Sequence, residues 1–280
     1  MDNFEDLLPE TVEFEFDKCE QLMQMLRQDA DGPRVWPSQL AKVMAGDYCL
    51  DKLANPEPWK ENVYTIAGKI AHKAIELRFS GLRDSSGGSV LSVATAKIID
   101  RCDIEGVDIM EAKVRASESF TLWFDFVKGY DTYPGLPLIN PRTEAKVSTP
   151  NLSGSIDFMS GHITDGTRET PPGKLVSSRL IIDWKTGRRK DTDFQQLALY
   201  ALMHVSKYGV PPARVACVYL NGTRPHVEYQ DIDIDTLFQV YSNMQAAMVI
   251  ARSVVQGPGL NDRSACSECR FCHLDCHLAG

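Results

Sequence analysis

Residues 181–187 read Ile181-Ile182-Asp183-Trp184-Lys185-Thr186-Gly187, and with Leu180 they begin as an apolar run that predicts a β-strand over residues 180–184. Side chains alternate between the two faces of a strand, so Asp183 and Lys185 share one face and Trp184 points to the other. In such a pair the carboxylate can bind a divalent cation, and the ammonium can orient or activate a water or neutralise a phosphate. A solvated surface pair is the alternative, because Asp-x-Lys is a short and common motif.

The segments around this strand predict a mixed α/β core. Strand patterns cover residues 144–147, 152–159 and 214–220, and a further strand ends near residue 231. Helical patterns cover residues 63–82, 90–130, 192–208 and 234–255. The order is helices, antiparallel strands, a helix, more strands and a final helix, which predicts an α/β (mixed α+β) fold with a central mixed sheet flanked by helices.

The composition suits an ordinary globular protein. The chain has 280 residues, of which 43% are hydrophobic, and this is enough for a sizeable core. We predict an acidic, peripheral N-terminal arm (residues 1–35) and a single domain (residues 36–280). The sequence contains no signal peptide and no apolar run long enough to span a bilayer, which predicts a cytoplasmic or otherwise intracellular protein without a membrane partner.

The charge of the chain bears on its partners. A formal net charge of -8 counts against a broadly basic surface for nucleic acid. Sites that hold metal ions are acidic, however, and contact with phosphate needs only a local positive stripe. One such stripe comprises Lys185, Arg188, Arg189 and Lys190.

Two further segments offer ligands for a divalent cation. Gly154-Ser155-Ile156-Asp157-Phe158 places Asp157 near the end of the preceding strand, and a hairpin of the two strands would bring it towards Asp183. The alternative is that Asp157 caps a turn. In the helix Gly68–Glu76, His72 and Glu76 are four residues apart and lie on one face, either as an imidazole–carboxylate ligand pair or as an ordinary surface pair.

The helix after the Asp-x-Lys strand carries another polar pair. Gln196 and Tyr200 share one helical face and could hydrogen-bond a phosphate or a base. In the alternative interpretation, Tyr200 packs partly in the core with Leu197 and Leu199.

Four motifs in this order, Gly-x3-His-x3-Glu, Gly-x-x-Asp, Asp-x-Lys-Thr-Gly and Gln-x3-Tyr, resemble the RecB nuclease-domain family of the PD-(D/E)XK superfamily over residues 38–276. The resemblance implies a nuclease core with a helical N-terminal cap, and Mg²⁺ or Mn²⁺ held by His72, Asp157, Asp183 and the Trp184 carbonyl. It implies that Lys185 is catalytic together with His72, Asp157 and Asp183, and that Gln196 and Tyr200 engage DNA. We expect Glu76 and Glu144 to play supporting roles.

The C-terminal segment concentrates thiols. Cys266, Cys269, Cys272 and Cys276 lie together with His273 and His277, which indicates either a tetrahedral zinc site or an iron–sulfur cluster completed by a remote cysteine. A subset of RecB-like nucleases, including the CRISPR-associated and AddB types, resembles this chain further. These proteins hold a 4Fe-4S cluster with one cysteine before the core and three after it.

Cys49 matches the upstream cysteine of that subset, so the resemblance implies a cluster held by four of the five thiols at Cys49, Cys266, Cys269, Cys272 and Cys276. The downstream spacing departs from the usual Cys-x2-Cys-x5-Cys. Such a cluster would staple Cys49 to the C-terminus, and zinc is the alternative metal.

The expected function is therefore Mg²⁺- or Mn²⁺-dependent hydrolysis of DNA. By resemblance it is an exonuclease acting on single-stranded DNA or on free DNA ends in recombination, repair, phage replication or CRISPR adaptation. Two alternatives stay open at this point: a catalytically silent DNA-binding or scaffold protein of the same fold, and a zinc-stabilised interaction module. A protein partner or a homo-oligomer is compatible with each.

Overall fold

The computed structural model describes residues 7–28, 35–46, 60–81, 90–127, 141–161, 163–164 and 173–256. In these residues the helices are α1 (Phe16–Gln28), α2 (Pro37–Met44), α3 (Val63–Phe79), α4 (Val90–Ile99), α5 (Ile109–Val127), α6 (Asp193–Tyr208) and α7 (Ile234–Gln256). The strands are β1 (Val12–Glu15), β2 (Arg142–Ser148), β3 (Ser153–Ser160), β4 (Ile163–Thr164), β5 (Lys174–Ser177), β6 (Leu180–Lys185), β7 (Arg214–Tyr219) and β8 (His226–Asp231).

The main sheet has five strands in the order β2-β3-β6-β7-β8. Strands β6 and β7 are parallel and are joined through α6, because a parallel pair needs a crossover connection. The other three pairs are antiparallel. The mixed sheet flanked by helices, as predicted from the order of elements, is confirmed.

Side chains of β6 alternate between the two faces of the sheet and pack into two separate layers of the core. Ile182 and Trp184 pack on one face against α3 and α5, in a cluster that includes Ile75 and Trp123. Ile181 packs on the other face, in the cluster that contains buried residues of α1, α2, α6 and α7. A central strand covered on both faces is apolar at almost every position, and Asp183 and Lys185 are the exceptions on β6. The prediction that Trp184 points away from these two residues is confirmed.

The N-terminal segment differs from the expected peripheral arm over residues 7–28. Strand β1 pairs antiparallel with β5 in a small second sheet of order β1-β5-β4. Helix α1 buries Leu22 and Leu26 in the same cluster as α6 and α7. These apolar side chains on one face of α1 make it part of the core, although the segment around it is acidic.

The region predicted as one helix over residues 90–130 contains two helices. Helix α4 ends at Ile99, and α5 begins at Ile109. Gly106 has a φ of +74° in the connection, and the Asp108 side chain accepts a hydrogen bond from the Glu111 N–H at 3.0 Å. A glycine with positive φ and a capping aspartate both interrupt a continuous helix, which explains the break. Among the described residues, no helix is sufficiently long and apolar to cross a membrane.

Candidate active site

The candidate site lies where β3 and β6 separate. Their antiparallel pairing runs from Ser160 opposite Leu180 to Phe158 opposite Ile182, and the next positions along the two strands are Asp157 and Asp183. There the Trp184 N–H donates to Asp157 Oδ2 at 2.9 Å, so a side chain replaces the main-chain acceptor. The strands pair as expected, although β4 and β5 intervene in the chain and the connection is not a simple hairpin.

Glu144 interrupts the neighbouring β2–β3 ladder at the same level. The ladder pairs Thr143 with Phe158 and Ala145 with Ile156, whereas Glu144 between them adopts a φ of +49°. A left-handed conformation is strained for a residue with a side chain, and such strain often concentrates at functional sites. The Glu144 carboxylate accepts a hydrogen bond from Ser155 Oγ at 2.8 Å, which helps to hold it.

Helix α3 adds the imidazole of His72 to the carboxylates of Glu144 and Asp157. The helix begins with a capping box in which Asn62 and Thr65 exchange hydrogen bonds. Its inner face buries Ile70 and Ala74, and His72 Nδ1 lies 3.4 Å from Asp157 Oδ2. Ligand atoms of His72, Glu144 and Asp157 all lie within 4.8 Å of one another, which is close enough for one ion to contact all three.

The electrostatics of this cluster favour a bound cation. Burial lowers the pKa of His72, but the carboxylates of Asp157, Asp183 and Glu144 outweigh it and raise the pKa to about 9. Burial raises the pKa of Glu144, and the nearby Asp157 charge raises it further. The carboxylates around His72 give the cluster excess negative charge, which a divalent cation with oxygen and nitrogen ligands would neutralise. His72 would release its proton when it binds such an ion.

Asp183 is held differently from the other predicted ligands. Its Oδ2 is buried and lies 2.6 Å from Lys185 Nζ, and within the described part of the chain it accepts no hydrogen bond of ordinary geometry. Burial raises the pKa of Asp183, and the neighbouring Asp157 adds to that effect against the opposing charge of Lys185. Asp183 is therefore a buried carboxylate with one cationic partner and free capacity for another.

Lys185 is surrounded by acceptors on the face of β6 that α6 covers. Its Nζ donates to Gln196 Oε1 at 3.1 Å, in addition to the Asp183 contact, and lies 3.4 Å from Asp193 Oδ1. Burial lowers the pKa of Lys185, but the two carboxylates outweigh it and raise the pKa above its ordinary value. The amine is thus held as an ammonium in a defined position.

Asp193 is a site residue that the sequence did not reveal. It is buried in the first turn of α6, and its Oδ2 accepts hydrogen bonds from Tyr219 OH at 3.1 Å and the Lys190 N–H at 2.9 Å. Its other oxygen faces Lys185. An acidic residue in the first turn is common in helices because it complements the helix dipole, so this position carried no functional signal.

Gln196 and Tyr200 occupy the predicted helical face, and both are engaged within the protein. Gln196 Nε2 lies 3.5 Å from Tyr200 OH, while its Oε1 contacts Lys185. Tyr200 is buried, as the alternative interpretation held, and burial raises its pKa. A Cβ at Gly154 would lie 2.8 Å from Tyr200 Cε1, so glycine on β3 makes room for this ring. DNA contact by the pair stays a prediction.

A groove of about 780 Å³ opens over the cluster. Its walls include His72, Glu76 and Glu144, with a set of cations: Lys69, Lys73, Arg101, Lys146 and Lys190. Lys73 is paired with Glu76, and Lys69 with Glu61. In the predicted positive stripe, Lys190 lines this groove, Arg188 is exposed, and Arg189 lies 2.8 Å from Glu228.

The predicted cluster ligands Cys49, Cys266, Cys269, Cys272 and Cys276 lie outside the described residues. Among the described cysteines, Cys217 is fully buried on β7, as expected for a small apolar residue, and burial raises its pKa. Cys19 is also buried, and burial raises its pKa to about 11.

A family model matches part of the chain. Residues 164–275 match the family model of the PD-(D/E)XK nuclease superfamily, a span that includes Asp183 and Lys185. The mixed α/β architecture with its five-stranded sheet is consistent with the PD-(D/E)XK fold. The crystal structure of SSO0001 is similar at 13% sequence identity over 83% of this chain and 91% of that chain, with a TM-score of 0.26. No curated protein matches the chain.

Proposed function

We propose that this protein is a divalent-metal-dependent deoxyribonuclease that hydrolyses phosphodiester bonds at single-stranded DNA ends. The observation that carries the proposal is the convergence, at the point where β3 and β6 separate, of a metal-ligand cluster and a lysine held by carboxylates. The family match over residues 164–275 supports the reaction class. The resemblance of the motifs to RecB-like nucleases supports exonucleolytic action on single strands.

The donor set fits Mg²⁺ or Mn²⁺. His72, Glu144 and Asp157 would hold the ion, and the buried Asp183 oxygen offers a further ligand close by. Carboxylate oxygens suit both ions, and the imidazole suits Mn²⁺ better than Mg²⁺. A bound ion would supply positive charge to the scissile phosphate and lower the pKa of a water molecule. Glu144 thus changes from the expected supporting residue to a proposed ligand, and the Trp184 carbonyl stays a predicted one.

Lys185 would act through its charge and its hydrogen bonds. The carboxylates of Asp183 and Asp193 both face its Nζ and favour the ammonium form. We expect it to donate to a phosphate oxygen or to orient the attacking water, where it stabilises the negative charge that develops in the transition state. Gln196 fixes the direction of the ammonium through its Oε1.

The DNA backbone would follow the groove over the cluster. Five cations line this groove, which offsets the acidic centre and the net negative charge of the whole chain. Arg188 and Arg189 lie just before Lys190 on the exposed loop after β6 and would extend the path. Gln196 and Tyr200 would approach the DNA from the Lys185 side.

We propose further that four of the five cysteines Cys49, Cys266, Cys269, Cys272 and Cys276 hold a 4Fe-4S cluster. The support is the sequence pattern and the family resemblance. Iron, acid-labile sulfide and zinc contents of protein purified without oxygen test it: a brown protein with about four irons per chain is expected. A colourless protein with stoichiometric zinc would replace the cluster with a zinc site and leave the nuclease proposal intact.

The nuclease proposal is tested with single-stranded and duplex DNA labelled at the 5′ or 3′ end, incubated with Mg²⁺ or Mn²⁺. The parent is compared with Asp157→Asn, and Asp231→Asn on the exposed edge strand β8 is the matched control. Loss of a metal ligand removes several kcal/mol of transition-state stabilisation, so we expect Asp157→Asn to be at least about 100-fold slower. A parent that binds DNA but never cuts it would favour the scaffold alternative.

A further inference from the structure

A second groove adjoins the first. It has a volume of about 870 Å³ and shares Tyr64, Thr186 and Gly187 with the groove over the metal-ligand cluster. Tyr64 lies in the first turn of α3, on the same helix as His72, and 67% of its surface is exposed. An exposed aromatic ring at the junction of two grooves, one of them containing the proposed metal site, is placed to meet the substrate.

The two grooves differ in chemical character. The first is lined by five cations and by the carboxylates of Glu76 and Glu144. The second contains one cation, Arg115, and two carboxylates, Glu118 and Asp125. Most of its other side chains are apolar, such as Val114 and Leu122, or carry hydroxyl or amide groups, such as Ser117 and Asn221. A cationic groove suits phosphates, whereas a wall of apolar and neutral polar groups suits bases.

Arg115 supports the Tyr64 ring from the second groove. Its guanidinium carbon lies 4.6 Å from the ring centroid, a cation–π distance, and Glu111 fixes the guanidinium through hydrogen bonds of 2.7 and 2.9 Å. The arginine restrains the ring, while the large exposed fraction of Tyr64 leaves ring surface for a further stacking partner.

We propose that Tyr64, supported by Arg115, is a stacking platform for an unpaired base of the DNA substrate; this rests on the proposed nuclease function. His72 is eight positions after Tyr64 on α3, which is about 12 Å along the helix. That distance equals about three to four nucleotides of a stacked strand, and fewer of an extended one. Paired bases stack on one another inside a duplex, so the platform selects single strands or frayed ends.

The experiment moves a single abasic residue stepwise along a single-stranded oligonucleotide and measures kcat/KM for the first cut in Mn²⁺. In the parent, we expect the abasic residue to lower kcat/KM at one position of the oligonucleotide, where it removes the base that stacks on Tyr64. The expected decrease is about 5- to 150-fold, which corresponds to the stacking of one base on an aromatic ring. On the intact oligonucleotide, Tyr64→Ala should lower kcat/KM by a similar factor. In this variant, the position of the abasic residue should not affect kcat/KM. Tyr64→Phe keeps the ring and should behave like the parent.

Tyr229→Ala is the matched control. Tyr229 is also exposed and also lies beneath an arginine, with the Arg214 guanidinium 4.1 Å from its centroid, but it lines neither groove. Tyr229→Ala should leave the dependence of kcat/KM on the position of the abasic residue unchanged. The stacking proposal is overturned, while the nuclease function stands, if the parent cuts DNA equally well at every position of the abasic residue. The same conclusion follows if Tyr64→Ala keeps the parent's dependence on that position. If the parent neither cuts nor binds DNA, both proposals fail.

Discussion

Replacing Asp193 with asparagine should slow DNA cleavage without affecting substrate binding. Asp193 Oδ1 lies 3.4 Å from Lys185 Nζ, and its Oδ2 accepts hydrogen bonds from Tyr219 OH and the Lys190 N–H. Asparagine has one carbonyl oxygen for these three donors. If that oxygen stays with Tyr219 and Lys190, the amide NH₂ faces the Lys185 ammonium, and two donors then oppose each other.

The size of the effect follows from the lost interaction. The Lys185–Asp193 contact is an ion pair at 3.4 Å, and we take for it the magnitude of an interaction with a buried charged group, about 1.5–3 kcal/mol. If that free energy serves to position Lys185 in the transition state, kcat should fall by about 10- to 150-fold. The remaining contacts of Lys185 with Asp183 and Gln196 prevent a complete loss of activity. The KM should change little, because Asp193 is buried and lines neither groove.

The assay is steady-state cleavage of end-labelled DNA in Mg²⁺, with the free energy of unfolding measured in urea on the same preparations. Asp191→Asn, at an exposed position two residues earlier, is the control and should match the parent. If Asp193→Asn folds and cuts DNA at the parental rate, Asp193 does not position Lys185 for the reaction. A raised KM with an unchanged kcat would likewise show that Asp193 contributes to substrate binding and not to the positioning of Lys185.

Three further predictions concern stability and metal binding. Gly154→Ala should lower the free energy of unfolding by about 1–3 kcal/mol, because its Cβ meets the Tyr200 ring at 2.8 Å, whereas Gly187→Ala, with no atom within 4 Å, should be neutral in the same urea titration. Burial, with the charge of Arg179, lowers the pKa of His204 to about 3, so stability is complete above the unfolded pKa of about 6.5 and falls with decreasing pH. The parent should therefore lose about 2 kcal/mol more than His204→Asn between pH 7 and 5, and equal losses would contradict this account. Glu144→Gln should weaken Mn²⁺ binding by at least about tenfold in calorimetry without DNA, and an unchanged affinity would remove Glu144 from the ligand set.

Local periodicity in the sequence was sufficient to group the site residues in pairs. The two-residue alternation of a strand placed Asp183 and Lys185 on one face, opposite Trp184. Helical spacing placed Gln196 near Tyr200 in the same way. The order of the elements also predicted the mixed sheet, because βαβ connections and antiparallel neighbours leave distinct patterns.

Some features depended on packing between segments far apart in the chain. The acidic composition of the segment around α1 predicted a peripheral arm, yet side chains of residues 7–28 are part of the core. The reason is that α1 has one apolar face, which packs in the same cluster as α6 and α7. The ligand cluster joins α3, β2 and β3, and no periodicity links His72 to Glu144 and Asp157, which follow it by more than 70 positions in the chain.

The sequence by itself determined which chemical groups this protein has and which face of its own element each one occupies. Only the tertiary structure decided that Glu144 joins His72 and Asp157, because the positive φ of Glu144 arises within the β2–β3 ladder. It also decided that Asp193 holds Lys185, since the first turn of α6 returns to β6. The physical reason is that periodicity depends on local backbone geometry, whereas distances between elements depend on the packing of the whole core.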